Sequence, residues 1–256
     1  MNTALLSLAH LEKRYGGGRG TLALQDMSLE VGAHDFVSLL GPSGCGKSTV
    51  LKMVAGLLPV TSGRITWQAG TAASAQDIGF VFQEPTLMPW ASVFDNVWLP
   101  LRLRGVSRAS AQARVEEALQ AVGLHEFAAA LPRELSGGMK MRVSIARALI
   151  TRPKLLLMDE PFGALDEITR SRLNHDTLQL WQQHGFTTLF VTHSVFEAVF
   201  LSRRIVVMAA RPGRVLAEIA IDEPYPRPEA FRHSARFGAW CAEVSAALHA
   251  ADDPHG

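Results

Sequence analysis

Cysteine is almost missing from this chain. The two that occur, Cys45 and Cys241, make neither a disulfide framework nor a ligand set for zinc, and they suit a reducing cytoplasm. Long apolar runs are missing too. No stretch of about 18 residues is apolar enough to span a bilayer, and the N-terminus lacks the basic region and apolar core of a secretory signal, so a soluble chain is expected. Charge of one sign is not in excess: 25 Lys and Arg stand against 24 Asp and Glu, a net +1. That balance excludes the global basic field on which nonspecific nucleic-acid binding relies. Low-complexity segments and solenoid repeats are also lacking. What remains is 256 residues that are 48% hydrophobic, enough to bury a large core as one α/β domain with a smaller subdomain, or as two modest domains.

Against that background one octapeptide stands out. Gly41-Pro42-Ser43-Gly44-Cys45-Gly46-Lys47-Ser48, followed by Thr49, fits G-x-x-x-x-G-K-[ST] between the apolar run Val37 to Leu40 and a helical stretch. The glycines let backbone N–H groups turn toward an anion, and the helix start adds the positive end of its dipole. Lys47 is placed for the β- and γ-phosphates of a nucleotide and Ser48 for magnesium.

Around this loop the hydrophobic pattern predicts strands over Leu5 to Ala9, Ala23 to Val31 and Phe36 to Leu40, and a helix over Lys47 to Leu57. Further strands are expected over Gly63 to Trp67 and Ile78 to Gln83, with Ala69 to Gln76 a surface loop between them. The spacing then turns helical over Val93 to Gly105 and Ser110 to Val122, with Gly123 as a C-cap, which reads as a helical insertion. A strand over Lys154 to Met158, a helix over Glu167 to Gln183, and strands over Thr187 to Thr192, Ile205 to Met208 and Arg214 to Ile221 follow. Strands alternating with helices imply a parallel sheet. Arg211-Pro212-Gly213-Arg214 reads as a turn and Glu223 to Pro228 as a proline-rich link. In the last helical stretch Phe231, Phe237, Trp240 and Val244 form an apolar stripe, a pattern that more often packs on its own domain than binds a regulator.

Two more constellations carry chemistry. Leu155 to Met158 is wholly apolar and ends in Asp159-Glu160; in an open parallel sheet, ligands sit beyond the carboxyl ends of strands. Asp159 then serves magnesium, and Glu160 polarises a water for attack on the γ-phosphate. Taken alone, the same pattern also fits a buried strand emerging among ordinary surface acids. Leu135-Ser136-Gly137-Gly138-Met139 precedes a helical stretch over Lys140 to Ile150. Ser136 is there either a plain N-cap or part of a second anion site. A chain already holding phosphate at Lys47 has no evident need of a second site, and the surplus suggests a dimer.

Together with Gln83, Ala164-Leu165-Asp166 and His193, these motifs resemble, in order and spacing, the nucleotide-binding subunit of ABC transporters, over nearly the whole chain. The resemblance implies a P-loop NTPase cassette of α/β class: a mostly parallel core sheet, an N-terminal antiparallel β subdomain and a helical insertion. Residues 1–222 would be the ATPase domain, with its helical subdomain at about 90–150, and 223–256 a C-terminal linker and helix. The resemblance also implies ATP and Mg2+ as cofactors and a head-to-tail homodimer in which each ATP lies between the phosphate loop of one subunit and the Ser136, Gly137 and Gly138 turn of the other. Carried over, Tyr15 stacks on adenine, Gln83 joins the magnesium and the attacking water, His193 holds the γ-phosphate, and Asp166 crosses the dimer interface. Read singly, Tyr15 is also a strand-end aromatic, Gln83 a loop amide and His193 a histidine ending a buried strand. Met139 stands where the common signature has Gln.

Leu87-Met88-Pro89-Trp90, Leu135 to Lys140 and Met158 to Arg170 look most like the nitrate, sulfonate and taurine group of importers. Related cassettes serve thiamine-precursor pyrimidines. This implies a subunit peripheral to the cytoplasmic face of the membrane, partnered by transmembrane permease subunits and, through them, by a substrate-binding protein. Leu87, Met88 and Trp90 would either seat a permease helix or pack within the insertion. A DNA-associated ABC-type ATPase is the rival from another class; its long heptad insertions are not present, and no nucleic-acid partner is expected.

Overall fold

The computed structural model describes residues 4–16, 20–67 and 77–252. The expected loop Ala69 to Gln76 and most of Gly16 to Gly20 lie outside the described residues. The chain divides into two compact units, Met1–Ala75 with Gly185–Gly256, and Gln76–His184.

The first unit opens with an antiparallel sheet of order β2-β1-β4, built from β1 (Ala4–Tyr15), β2 (Thr21–Gly32) and β4 (Ser62–Trp67). β1 and β2 each run to 12 residues; β1 continues to Tyr15, well past the expected end at Ala9, whereas β2 only slightly extends the expected Ala23 to Val31. His10 and Asp26 take left-handed φ of 50° and 51°, and the β1–β2 register slips between Leu8 and Leu11. Such a bulge breaks the alternation on which the sequence pattern relies, so the strand reads as ended where it only bends. Leu6, Leu8, Leu11, Met27, Leu29 and Val31 form the buried face.

The same unit holds four strands in the order β7-β3-β8-β9: β7 (Thr187–Thr192), β3 (Phe36–Leu40), β8 (Arg204–Ala209) and β9 (Arg214–Ala220). β7, β3 and β8 are parallel, whereas β9 returns antiparallel on β8. Every residue of β3 and β7 is buried, as continuous apolar runs in parallel sheets require. After β3 comes α1 (Lys47–Val54), shorter than the expected Lys47 to Leu57. Gly56 turns at φ 70° and Leu57 N–H donates back to Lys52 O at 2.9 Å, a left-handed helix stop.

The second unit carries a parallel pair, β5 (Ile78–Val81) and β6 (Leu155–Asp159), with helices α2 (Val93–Leu103), α3 (Arg108–Ala121), α4 (Gly137–Leu149) and α5 (Glu167–His184). Ser92, Ser107 and Ser136 cap α2, α3 and α4 by accepting from the N–H three residues on. Gly123, at φ 67°, ends α3 as expected. β5 stops at Val81, short of the expected Gln83. α4 starts three residues before the expected Lys140 because both signature glycines are helical. A Cβ on Gly138 would come 2.6 Å from Thr169 Cγ2, so only glycine lets α4 approach the start of α5 here.

In the first unit, α6 (Val195–Leu201) and α7 (Ala235–Asp252) complete the chain. α7 packs on α6 and β8 through Phe237, Cys241 and Val244, with Phe231 edge-on to Phe237 at 5.2 Å. The stripe thus faces its own unit, with Cys241 buried and Trp240 half-buried. The proline-rich link is no loose tether. Arg227 is buried and donates to Val199 O, Phe200 O and Ser202 O at 2.8 to 3.0 Å, satisfying carbonyls at the end of α6 that have no partner within the helix. No helix among the described residues is long and apolar enough to cross a membrane.

The turn before β9 has a specific task. Gly213 exchanges backbone bonds with Ala23 and Gln25 of β2, and a Cβ placed on it would stand 2.0 Å from Cys45 O in the phosphate loop and 2.8 Å from Leu24 Cδ2. Gly213→Ala is expected to destabilise the protein by about 1–3 kcal/mol and to weaken ATP binding, since overpacking pushes on the loop. Thermal melting and ATP titration check this; an unchanged midpoint counts against the wedge.

Candidate functional site

In the first unit, three parallel strands end together. Leu40 of β3 stands beside Thr192 of β7 and Val207 of β8, so the phosphate loop and His193 leave the same sheet edge as neighbours. The loop is held by what surrounds it. Gly44 and Gly46 sit at φ 79° and 95°, and a Cβ on Gly46 would meet Leu24 Cδ2 at 2.6 Å. A Cβ on Gly41 would meet Met208 O at 2.6 Å and Cys45 Sγ at 2.8 Å. Backbone conformation and crowding therefore both demand glycine. Pro42 O accepts from Cys45 N at 3.3 Å, closing the turn through Ser43.

Lys47 is only 5% exposed; its ammonium donates to Gly41 O at 2.8 Å and Pro42 O at 3.0 Å, lying across the loop. α1 begins at Lys47, carries no acid in its first turn and has no side-chain cap at Gly46, so its positive end is left for an anion. Ser48 and Thr49 lie in that first turn. Tyr15, 45% exposed, reaches Thr49 Oγ1 with its hydroxyl at 3.4 Å, and the Lys13 ammonium lies 5.2 Å from its ring centroid. An exposed aromatic face beside α1 fits a stacking base.

His193 is exposed, between the buried Thr192 and the half-buried Ser194. Thr192 Oγ1 accepts from Ser194 N at 2.9 Å and donates to the buried Glu197 carboxylate, while Ser194 Oγ caps α6 at Glu197 N. The sequence pattern gives Glu197 no part; a single acid after a histidine carries no signal until the helix turns it back onto Thr192.

In the second unit, Val81 of β5 pairs with Met158 of β6, so Gln83 and the pair Asp159-Glu160 leave the same end of this strand pair. Asp159 is buried; Glu160 is half-buried and left-handed at φ 45°, unusual for a residue with a side chain and typical of strained functional positions. Gln83 is exposed. Asp166 has a local role beyond the expected one: its Oδ1 accepts from Thr169 N at 3.0 Å near the start of α5, and this bond lowers its pKa. Ser136 caps α4, accepting from Met139 N at 3.3 Å, and the helix it opens has no acid in its first turn. Met139 leaves this cap intact, because the bond uses only its backbone.

The Ser48 hydroxyl in the first unit, and the Asp159 carboxylate and Gln83 amide in the second, are each oxygen donors of the kind that a hard cation such as magnesium takes. That ion ordinarily takes one or two carboxylates and completes its shell with phosphate and water. Among the described residues no cluster of three or more His, Cys, Asp or Glu forms a metal cage.

Comparison with known proteins settles the family. Residues 24–163 match the family model described as ABC transporter. The chain belongs to the ABC transporter family, as an ATP-binding and ATP-hydrolysing subunit. It is 46% identical over 242 residues to the taurine import ATP-binding protein TauB of Rhizobium johnstonii, covering 92% of each chain. It is 44% identical to the protein of the same name from Burkholderia thailandensis, covering 81% of each. Among solved structures it resembles the dimeric post-hydrolysis state of the ATP-binding cassette MJ0796 bound to ADP and Pi, with a TM-score of 0.74 and 32% identity over 86% of this chain and 100% of that one. It also resembles cbiO1 from Clostridium perfringens, part of the ABC transporter complex cbiONQ, with a TM-score of 0.76 and 26% identity over 94% and 99%.

For the cassette, Lys47→Ala removes the cation that the loop motif assigns to the phosphates and is expected to weaken ATP binding about ten- to a hundredfold, the worth of a charged hydrogen bond. Titration calorimetry decides it, and unchanged affinity means that the loop is not the site. Cys45 is fully buried, and burial raises its thiol pKa, with Lys47 nearby opposing the shift. In a Cys241→Ala background, Cys45 is expected to alkylate more slowly than free cysteine at neutral pH, to speed up as pH rises, and to be protected by ATP. Alkylation faster than free cysteine shows that Lys47 outweighs burial, and absence of ATP protection places the thiol elsewhere.

Proposed function

We propose that this cassette powers import of a small sulfonate, with taurine as first candidate, and that it works as an ATP-dependent homodimer docked on a membrane permease. The observation that carries the dimer is that, among the described residues, two helix starts combine an opening glycine with a first turn free of acid, α1 behind Gly46 and α4 at Gly137 and Gly138 behind Ser136. One nucleotide needs one phosphate loop; a second such start is explained when a partner copy supplies its Ser136, Gly137 and Gly138 to the ATP held by the first. The dimeric cassettes at 32% identity support this arrangement, and the taurine import relatives support the cargo. The subunit then sits peripherally on the cytoplasmic face, with a substrate-binding protein delivering cargo to the permease. Residues 1–222 act as the ATPase domain, with the helical subdomain at about 90–150, and 223–256 as an appended linker and helix.

The roles of Tyr15, Gln83, His193 and Asp166 are those that the family resemblance implies. Gly41, Pro42, Ser43, Gly44, Cys45, Gly46, Lys47, Ser48 and Thr49 hold the phosphates, and Tyr15 stacks on the base. Ser48, Asp159 and Gln83 are the residues that would hold magnesium, which when bound neutralises charge on the transferring phosphoryl group. Glu160 orients water and accepts its proton, His193 donates to the γ-phosphate, and Asp166 meets the partner subunit. Catalysis here is positioning and electrostatic stabilisation, without a covalent intermediate. ATP favours the closed dimer because it contacts both copies there, and hydrolysis removes that preference.

Glu160→Gln keeps the shape but loses the base. ATP affinity is expected to be preserved and turnover to fall by about a hundredfold or more, with the dimer accumulating under saturating ATP. Gel filtration that shows only monomer, with ATP bound, sinks the shared-site reading.

A further inference from the structure

The segment that follows Gln83, residues 84–92, has no helix or strand of its own, yet it is gripped from two sides within the second unit. From α2, the fully buried Asn96 accepts from Met88 N at 2.8 Å and donates to Met88 O, Ala91 O and Ser92 O at 3.0 to 3.2 Å. From α4, Arg147 donates to Thr86 O at 2.8 Å, to Pro85 O at 2.7 Å and to Thr86 Oγ1 at 3.0 Å. Thr86 itself is left-handed at φ 47°, a conformation that a β-branched residue keeps only when its surroundings hold it there.

Arg147 differs from the other arginine that α4 turns toward its neighbours. Arg142 reaches the Asp176 carboxylate at 2.6 Å, whereas the bonds of Arg147 go to backbone carbonyls and hydroxyls. Burial without a compensating carboxylate lowers its pKa, so the charge sits where dipoles alone stabilise it. A planar fork aimed at two successive carbonyls fixes orientation as well as distance, which a lysine head cannot do. α4 is the helix opened by Ser136, and it runs unbroken from Gly137 to Leu149.

We propose that Arg147 is a positioning residue for ATP hydrolysis: it ties the segment just after Gln83 to the helix that carries the Ser136 turn, so that Gln83 and that turn are set by one rigid rod. This rests on the role assigned above to Gln83. A segment without regular structure and bridging an exposed glutamine to a helix has many conformations available; two grips on its backbone remove most of them before ATP binds.

The test compares the full chain with R147A, R147K, T86V and Q83A. Hydrogen exchange reads the grip directly: R147A is expected to speed exchange across 85–92 while peptides of α1 keep their protection, and T86V, which removes one acceptor, gives a smaller change in the same place. Turnover at saturating ATP is expected to fall about ten- to a hundredfold in R147A, the cost of roughly 1 Å misplacement, with the ATP concentration at half-maximal rate held within about threefold. R147K keeps charge without the fork and is expected to recover only part of the turnover. If R147A does not fold, R147K and T86V carry the same comparison. Unchanged exchange over 85–92, or loosened exchange with full turnover, overturns the proposal for Arg147. Full turnover in Q83A overturns instead the role of Gln83, and the exchange measurement then decides separately whether Arg147 holds the segment.

Discussion

Everything in this protein that concerns nucleotide depends on a loop that must leave a buried strand, turn through left-handed backbone and enter a helix, all between Leu40 and Lys47. Sterics allow this at Gly44 and Gly46, and crowding by Leu24, Met208 and Cys45 excludes side chains at Gly46 and Gly41. Strand β3, buried at every position, anchors one end; the Lys47 ammonium, bonded to Gly41 O and Pro42 O, ties the other end back. Gly213, arriving from the far end of the chain, closes the loop from behind. The phosphate site is thus a property of packing as much as of its own eight residues.

Buried and half-buried polar side chains hold irregular backbone at several places in the molecule. Asn96 and Arg147 do this for the segment after Gln83, Glu197 for the turn containing His193, and Arg227 for the end of α6. Each satisfies backbone or hydroxyl groups that would be costly to bury alone, and each converts a loop into a fixed part of an element. A core of aliphatic side chains stabilises strands and helices but says little about where a loop goes. Directional bonds at its interior do.

The strands and helices are largely legible in the sequence because their periods are strong: continuous apolar runs for β3, β6 and β7, helical spacing for α2 and α3. Misreadings occur where geometry departs from period. β1 continues past the bulge at His10, and α4 begins at glycines that propensity would place outside a helix. β5 ends before Gln83, and Cys241 rather than Trp240 is buried in the last apolar stripe.

The order of motifs, from Gly41-Lys47 through Gln83, Ser136 and Asp159-Glu160 to His193, was set by sequence alone, because each needs particular residue types at short spacing and such patterns survive without knowledge of the fold. Tertiary structure alone decided that Asp166 caps a helix, that Glu197 braces the His193 turn, and that Arg147 and Arg227 grip backbone far from them in the chain. The roles of Arg147 and Arg227 depend on carbonyls and that of Asp166 on a backbone N–H, groups that almost every residue carries, while Glu197 needs the Thr192 hydroxyl; none of these leaves a mark in a sequence until folding brings the partners together.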